Sequence, residues 1–170
     1  MSPLTTAALA FAGVAVITLT SVWRPTTRLI WNASASVPVG LYALEPMPKL
    51  SVGELVVVQP PEPLAAFLAN GGYLPLGLPL IKHVAALPGE TVCRQGLEIS
   101  IGGALQANAR ERDHAGRLLP VWSGCRHISS GEVFLLNASE PASLDGRYFG
   151  PLRVSSVVGR AVPIWTGGAH

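Results

Sequence analysis

One serine and one lysine have the types and surroundings needed for a catalytic pair. Ser36 lies two residues before a proline in the segment NASASVPVGLY (32–42), and Lys82 lies in the largely apolar segment LIKHVAALPGE (80–90). A serine hydroxyl is a weak nucleophile until a base takes its proton, and a lysine can act as that base only when it is neutral. Apolar neighbours disfavour the ammonium form and can lower a lysine pKa by roughly 3–5 units. If the two residues meet in the fold, their types suit Ser36 as nucleophile and Lys82 as general base, with reacting atoms about 2.6–3.2 Å apart.

A third segment, SLDGRYFG (143–150), places Ser143, Asp145 and Arg147 in one tight turn. Taken singly, each segment has a plainer interpretation. Ser36 would be an ordinary turn serine, Lys82 would be a strand-edge lysine with its amine in water, and the third segment would be a turn with a local ion pair. Their joint presence in one chain favours chemistry.

Together, and in this order, the three segments resemble the signal-peptidase family of serine proteases, most closely its conjugative-transfer branch, the TraF pilin-maturation peptidases. The sequence SVP (36–38) is similar to the family's Ser-x-Pro nucleophile box. IKHVAALPGE (81–90) is similar to its Lys-Arg-Val-x-Gly-Leu-Pro-Gly-Asp box, and SLDGRYFG is similar to its Ser-x-Asp-Ser-Arg-Tyr-x-Gly box. The resemblance covers about residues 32–165. Val37 replaces the usual Met of housekeeping signal peptidases, and their Gly-Asp-Asn-Arg-Asp run is absent, so the conjugative branch is favoured.

The resemblance implies supporting roles for four more residues. Ser34 matches the residue whose hydroxyl joins the nucleophile's backbone N–H in the oxyanion hole, and Ser143 matches the residue that orients the lysine amine. Asp145 and Arg147 match a structural ion pair behind the site, although a more direct role for Asp145 stays open. No metal ion and no organic cofactor is implied. No acid–base role is expected for the four histidines, His83, His114, His127 and His170.

Short strands are the elements expected to position these residues. Only 13% of the residues are charged, and 18 Gly and 15 Pro favour turns and short strands over long amphipathic helices. Apolar runs predict strands at 55–58 and 133–136, and an alternating run predicts a closing strand at 154–164. Residues 63–70 predict one helix, with Pro near its start and Gly after it. The resemblance implies a mainly β, signal-peptidase-like domain of strongly bent antiparallel sheets.

An uncharged apolar run at residues 4–23 is long enough to cross a bilayer as a helix. It predicts one N-terminal transmembrane helix, with a membrane anchor at residues 1–23 and a catalytic domain at 24–170. The alternative is a cleaved signal peptide, since ASA (33–35) resembles a cleavage site. A retained anchor is favoured because no Lys or Arg precedes the run and the supposed site lies well beyond its end.

Two features give opposite indications of which side of the membrane the domain faces. Arg24 and Arg28 follow the apolar run, and the positive-inside rule would place them in the cytoplasm. Cys93 and Cys125 are an even pair, which fits one disulfide in an oxidising compartment, although two free thiols are an alternative. We expect a single-pass protein of the bacterial inner membrane whose catalytic domain faces the periplasm.

The resemblance implies a membrane-anchored serine endopeptidase that matures a membrane-inserted pilin or other precursor with small residues before the scissile bond. The acyl-enzyme is resolved by water or by the substrate's own amine, which would give a cyclic pilin, and the sequence does not decide between them. One alternative is a general signal peptidase, and another is a non-enzymatic membrane-tethered subunit of a conjugation or secretion channel. The lipid bilayer is an expected partner because of the apolar run. The net charge is only +2 without a dense Lys/Arg run, so nucleic acid is not an expected partner.

Overall fold

Antiparallel strands are the main secondary structure of the described residues, as predicted. The structure is a computed structural model that describes residues 3–22 and 29–167 of the 170-residue chain. Within these ranges the strands are β1 (Leu29–Asn32), β2 (Gly40–Glu45), β3 (Leu55–Val58), β4 (Leu80–Ala86), β5 (Thr91–Gln95), β6 (Glu98–Ile101), β7 (Ala104–Asn108), β8 (Gly124–His127), β9 (Glu132–Leu135), β10 (Leu152–Arg153) and β11 (Val157–Thr166). The helices are α1 (Pro3–Val22), α2 (Leu64–Asn70) and α3 (Gly146–Phe149).

The strands form two antiparallel sheets. The larger sheet has the order β1-β2-β11-β3-β4-β9-β10, and the smaller has the order β7-β6-β5-β8. The closing strand β11 thus lies between β2 and β3. It begins three residues later than predicted because Val154–Ser156 form a 3-10 turn. A Cβ at Gly159 would lie 2.5 Å from the Glu45 carbonyl oxygen, so glycine is what lets β11 pack this closely on β2.

The large sheet buries apolar side chains on both faces, as strands with continuous apolar runs are expected to do. Val57 of β3 and Ile81 of β4 pack in one cluster, and Val56 of β3 and Val84 of β4 pack in another. Because side chains alternate along a strand, Lys82 shares a face with Val84. A third cluster, which includes residues of β4, β5, β6 and β9, joins the two sheets. The predicted runs at 55–58 and 133–136 correspond to β3 and, shifted by one residue, β9.

The N-terminal apolar run forms α1, in which hydroxyl residues are interspersed among the apolar ones. Thr18, for example, donates its hydroxyl to the Val14 carbonyl at 2.8 Å. Among the described residues no helix has the length and hydropathy needed to cross a membrane, so the transmembrane helix that the sequence predicts is not found. Arg24 and Arg28, on which the topology argument rests, lie outside the described residues. The division at residue 23 stays a prediction.

Two further sequence predictions are confirmed. The helix expected at 63–70 is α2, which buries Leu68. Cys93 of β5 and Cys125 of β8 lie directly opposite each other in the small sheet, with Cα atoms 4.0 Å apart, and form a disulfide. The bond joins positions 32 residues apart, so it closes the loop that contains β6 and β7.

Candidate active site

The turn that carries Ser36 is held together by one buried amide at the end of β1. Asn32 Nδ2 donates to the carbonyl oxygens of Ser34 at 2.8 Å, Val37 at 3.1 Å and Pro38 at 3.1 Å. Its Oδ1 accepts the Ser34 N–H at 3.2 Å and the Ser34 hydroxyl at 2.9 Å. A single side chain therefore sets the path of the backbone on both sides of Ser36.

The two serine hydroxyls of this turn are joined in a chain. Ser34 Oγ lies 3.0 Å from Ser36 Oγ. Three carbonyls fix the NH₂ group of Asn32 on their side, so its Oδ1 faces Ser34 and can only accept. Ser34 therefore donates to Asn32 and accepts the hydroxyl hydrogen of Ser36. Within the described part of the chain the Ser36 N–H has no hydrogen-bond partner, so it is available to a developing oxyanion.

Lys82 is a buried amine on the same face of β4 as Val84. Its side chain is only 3% exposed, and its Nζ donates to Ser143 Oγ at 2.8 Å. Burial lowers the pKa of Lys82 to about 8, while the charge of Asp145 opposes that shift and the charge of Arg147 adds to it. The structure thus gives this lysine the apolar surroundings that the sequence predicts.

Ser36 and Lys82 line the same cleft, which has a volume of about 280 Å³. Apolar side chains make up much of its wall, including Leu68, Leu74, Leu80, Leu119, Ala142 and Leu144. The direct Ser36–Lys82 hydrogen bond expected from the sequence is not among the hydrogen bonds of the described residues. Ser36 Oγ is instead bonded to Ser34, and Lys82 Nζ is bonded to Ser143.

Asp145 and Arg147 form a fully buried, bidentate ion pair. Asp145 Oδ1 accepts from Arg147 Nε at 2.9 Å, and Oδ2 accepts from an Arg147 terminal nitrogen at 2.8 Å. The same guanidinium donates to the carbonyls of Asn137 and Glu140, so it fixes the loop that carries Ser143. Neither residue is among those that line the cleft. Their contacts are those of a structural pair behind the site.

A comparison with known protein families matches nearly the whole chain. The family model described as signal peptidase, peptidase S26, matches residues 2–166. The chain belongs to this family. It is therefore a peptidase of the signal-peptidase type, and the resemblance inferred from three short segments is confirmed.

Conjugal and plasmid transfer proteins are among the proteins that are similar to this chain. A conjugal transfer protein TraF from Agrobacterium fabrum is 35% identical over 146 residues, which cover 79% of this chain and 81% of that protein. A plasmid transfer protein TraF from Escherichia coli is 29% identical over 147 residues, with the same shares covered. A crystal structure of a signal peptidase I from Enterococcus faecalis has 20% identity and a TM-score of 0.41, covering 67% of this chain and 97% of that one.

Sequence reasoning missed two buried asparagines in this peptidase. Asn32 organises the Ser36 turn, and Asn137, which follows β9, donates its Nδ2 to the Ser36 carbonyl oxygen at 2.8 Å. The sequence offered one weak signal for Asn137, a polar residue directly after a buried apolar strand. Asn32 offered none beyond its place next to a turn.

The cleft lining also includes polar residues that the sequence did not predict, among them Tyr73 and Asp113. The Tyr73 hydroxyl donates to Asp113 Oδ2 at 2.6 Å, and the Arg117 guanidinium bonds Asp113 and lies over the Tyr73 ring. The Tyr73 hydrogen bond, helped by those of Arg117, holds the pKa of Asp113 well below its usual range. His114 also lines the cleft and is exposed, whereas His83 contacts Asn137 and does not line the cleft.

Proposed function

We propose that the protein is a serine endopeptidase in which Ser36 is the nucleophile and Lys82 its general base. The observation that carries the proposal is the buried Lys82 amine on the wall of the cleft that Ser36 also lines. With a pKa of about 8, about one-tenth of these lysines are neutral near pH 7 and most are neutral near pH 9. A neutral amine beside a serine hydroxyl meets the first requirement of a Ser/Lys mechanism.

The reaction begins when the Ser36 hydroxyl turns from Ser34 towards Lys82. Lys82 Nζ takes the hydroxyl proton as Ser36 Oγ bonds to the scissile carbonyl carbon. The carbonyl oxygen becomes negative and accepts hydrogen bonds from the Ser36 N–H and from the Ser34 hydroxyl, which leaves Asn32 to do so. Lys82 then gives its proton to the departing amine as the C–N bond breaks, and an ester remains on Ser36.

The ester is resolved by a second nucleophile. Water attacks the ester carbonyl while Lys82 takes one of its protons, and that proton returns to Ser36 Oγ as the ester bond breaks. If the substrate's own amine attacks instead, the same proton transfers give a new peptide bond and a cyclic product. Ser143 holds the Lys82 amine in place for both halves of the reaction.

We place the substrate among membrane-inserted pilin precursors of a conjugation system. Support comes from the relatives in Agrobacterium fabrum and Escherichia coli, which are named conjugal and plasmid transfer proteins. The apolar cleft wall suits small or apolar residues before the scissile bond, as expected for such precursors. A general signal peptidase is the competing choice.

We further propose that the domain works at a membrane surface outside the cytoplasm. The Cys93–Cys125 disulfide supports an oxidising compartment. Trp31 of β1 and Trp165 of β11 stack with ring centroids 5.9 Å apart, and both are more than half exposed next to the Ser36 turn. Exposed tryptophans suit a lipid interface. Protease shaving of spheroplasts should degrade the domain, and its protection until the membrane is breached would contradict this location.

The function is tested by co-expressing the protein with a conjugative pilin precursor and measuring intact masses. If water resolves the ester, wild type should yield two linear fragments. If the substrate's own amine resolves it, one of the two products should be cyclic and one water lighter than its linear form. Ser36→Ala should leave the precursor whole, while Ser100→Ala, a control on β6, should not. Cleavage by Ser36→Ala would exclude Ser36 as nucleophile. An intact pilin precursor together with cleavage of an unrelated secretory precursor would instead indicate a general signal peptidase.

A further inference from the structure

Asn137 is a fully buried side chain whose amide bonds two distant segments of the chain. Its Nδ2 donates to the Ser36 carbonyl oxygen at 2.8 Å, across 101 positions of sequence. The same nitrogen lies 3.4 Å from the Ile81 carbonyl oxygen, and its Oδ1 accepts the His83 N–H at 3.0 Å. Ile81 and His83 are the two neighbours of Lys82. One amide therefore bonds to the backbone of the proposed nucleophile, Ser36, and to the backbone on both sides of the proposed base, Lys82.

The place of Asn137 in the sheet explains this contact. β9 pairs with β4 at Val84 and ends at Leu135, so the edge of β4 beside Lys82 has no strand partner on that side. The Asn137 amide takes the place of a peptide group from a neighbouring strand, because it offers one hydrogen-bond donor and one acceptor to the backbone of β4. A peptide group has only one N–H, whereas a primary amide has two, and the second hydrogen reaches Ser36.

The backbone of Asn137 is fixed as firmly as its side chain. Its N–H donates to Asp145 Oδ2 at 3.1 Å, and its carbonyl accepts from Arg147 at 3.0 Å. The buried ion pair therefore holds Asn137, and Asn137 holds the segments that carry Ser36 and Lys82. This chain of contacts gives Asp145 a defined influence on the site without any contact to the reacting atoms.

We propose that Asn137 is a positioning residue that sets the approach of Ser36 to Lys82, an inference that rests on the Ser/Lys function proposed above. It donates no proton in the reaction and touches no reacting atom. The two hydrogens of its Nδ2 hold the Ser36 carbonyl at a fixed distance from the backbone of β4. The Ser36 hydroxyl and the Lys82 amine therefore come within hydrogen-bonding distance when the Ser36 side chain turns. A misplacement of about 1 Å in such a pair can cost about 10²-fold in rate.

The test measures cleavage of an internally quenched peptide with alanine at the first and third positions before the scissile bond. Asn137→Ala removes every side-chain bond, and Asn137→Asp keeps the acceptor for His83 while losing the donor for Ser36. Leu136→Ala is the matched control, because Leu136 is an equally buried neighbour that packs in the core between the sheets. Each variant is assayed at a temperature at which circular dichroism shows it to be folded.

Both Asn137 variants should lose about 10²-fold in kcat with KM within about threefold of wild type, as expected for lost positioning. The midpoint of the pH–rate profile of Asn137→Ala should stay near that of wild type, and Leu136→Ala should keep its kcat. The inference is overturned if Asn137→Asp keeps wild-type kcat, or if Leu136→Ala loses as much as Asn137→Ala. A wild type that leaves the peptide uncut, or a Ser36→Ala variant that cuts it, would overturn the proposed function itself and this inference with it.

Discussion

Replacing Lys82 with methionine should stabilise the folded protein near neutral pH while it abolishes catalysis. Lys82 is 3% exposed, and burial lowers its pKa from 10.5 to about 8. A pKa that is lower in the folded state means that protonating the amine costs more there than in the unfolded chain. Methionine has a similar length and an unbranched apolar stem, so it should fill the same space without a charge.

The size of the effect follows from that pKa difference. The gap between 10.5 and about 8 is about 2.5 units, which corresponds to about 3 kcal/mol. Between these two values the unfolded chain binds the proton that the folded protein has released, so wild-type stability rises with pH across this window. The cost is fully present below about pH 8 and is absent above about pH 10.5. Losing the bond to Ser143 costs about 1 kcal/mol, which leaves a net gain of about 2 kcal/mol near pH 7.

The assay is urea unfolding followed by tryptophan fluorescence, near pH 7 and near pH 10. Lys82→Met should be more stable than wild type near pH 7, and the difference should shrink or reverse near pH 10. Lys49→Met is the control, because Lys49 is an exposed lysine outside the site and its replacement should show no such pH dependence. A stability difference for Lys82→Met that is the same at both pH values would refute the idea that burial of the charged amine destabilises the fold.

Three further substitutions test other parts of the site and fold. Ser34→Ala should lower kcat by about 10²–10³-fold with little change in KM, and peptide cleavage at an unchanged rate would remove Ser34 from the oxyanion hole. Asp145→Asn should lower the free energy of unfolding by about 3–5 kcal/mol in urea titration, because it leaves a buried arginine without its counter-charge; a loss below about 1 kcal/mol would contradict this. Replacing Cys93 and Cys125 together by alanine should lower the same quantity by about 3–4 kcal/mol, and unchanged stability would show that the disulfide adds nothing.

The sequence predicted the parts of the fold that depend on local pattern. The apolar runs of β3 and β9 and the Pro- and Gly-bounded helix α2 are each encoded within a few residues, so composition and periodicity were enough to find them. The position of β11 between β2 and β3 could not be predicted in this way. It depends on a close approach at Gly159 that the sequence showed only as an interrupted strand.

The site was predictable where its residues belong to compact segments. Lys82 and Ser143 lie 61 positions apart and meet as the family resemblance implied. The asparagine amides were not predictable, because their function comes from distant carbonyl oxygens rather than from neighbours in sequence. The Ser36 carbonyl, for example, lies 101 positions from Asn137, and the pairing of β9 with β4 brings Asn137 into this region of the fold. The same limit applies to the Ser36 hydroxyl, which donates to Ser34 because Asn32 accepts the Ser34 hydroxyl.

The central claim is that Lys82 acts as a base for Ser36, and the most direct measurement is pilin-precursor processing by Lys82→Arg, read by intact mass near pH 9. Arginine keeps a long cationic side chain but stays protonated at this pH, so it cannot accept the serine proton. The account predicts that the precursor remains whole, as is expected for Ser36→Ala. Processing by Lys82→Arg at a rate near that of wild type would contradict the Ser/Lys mechanism.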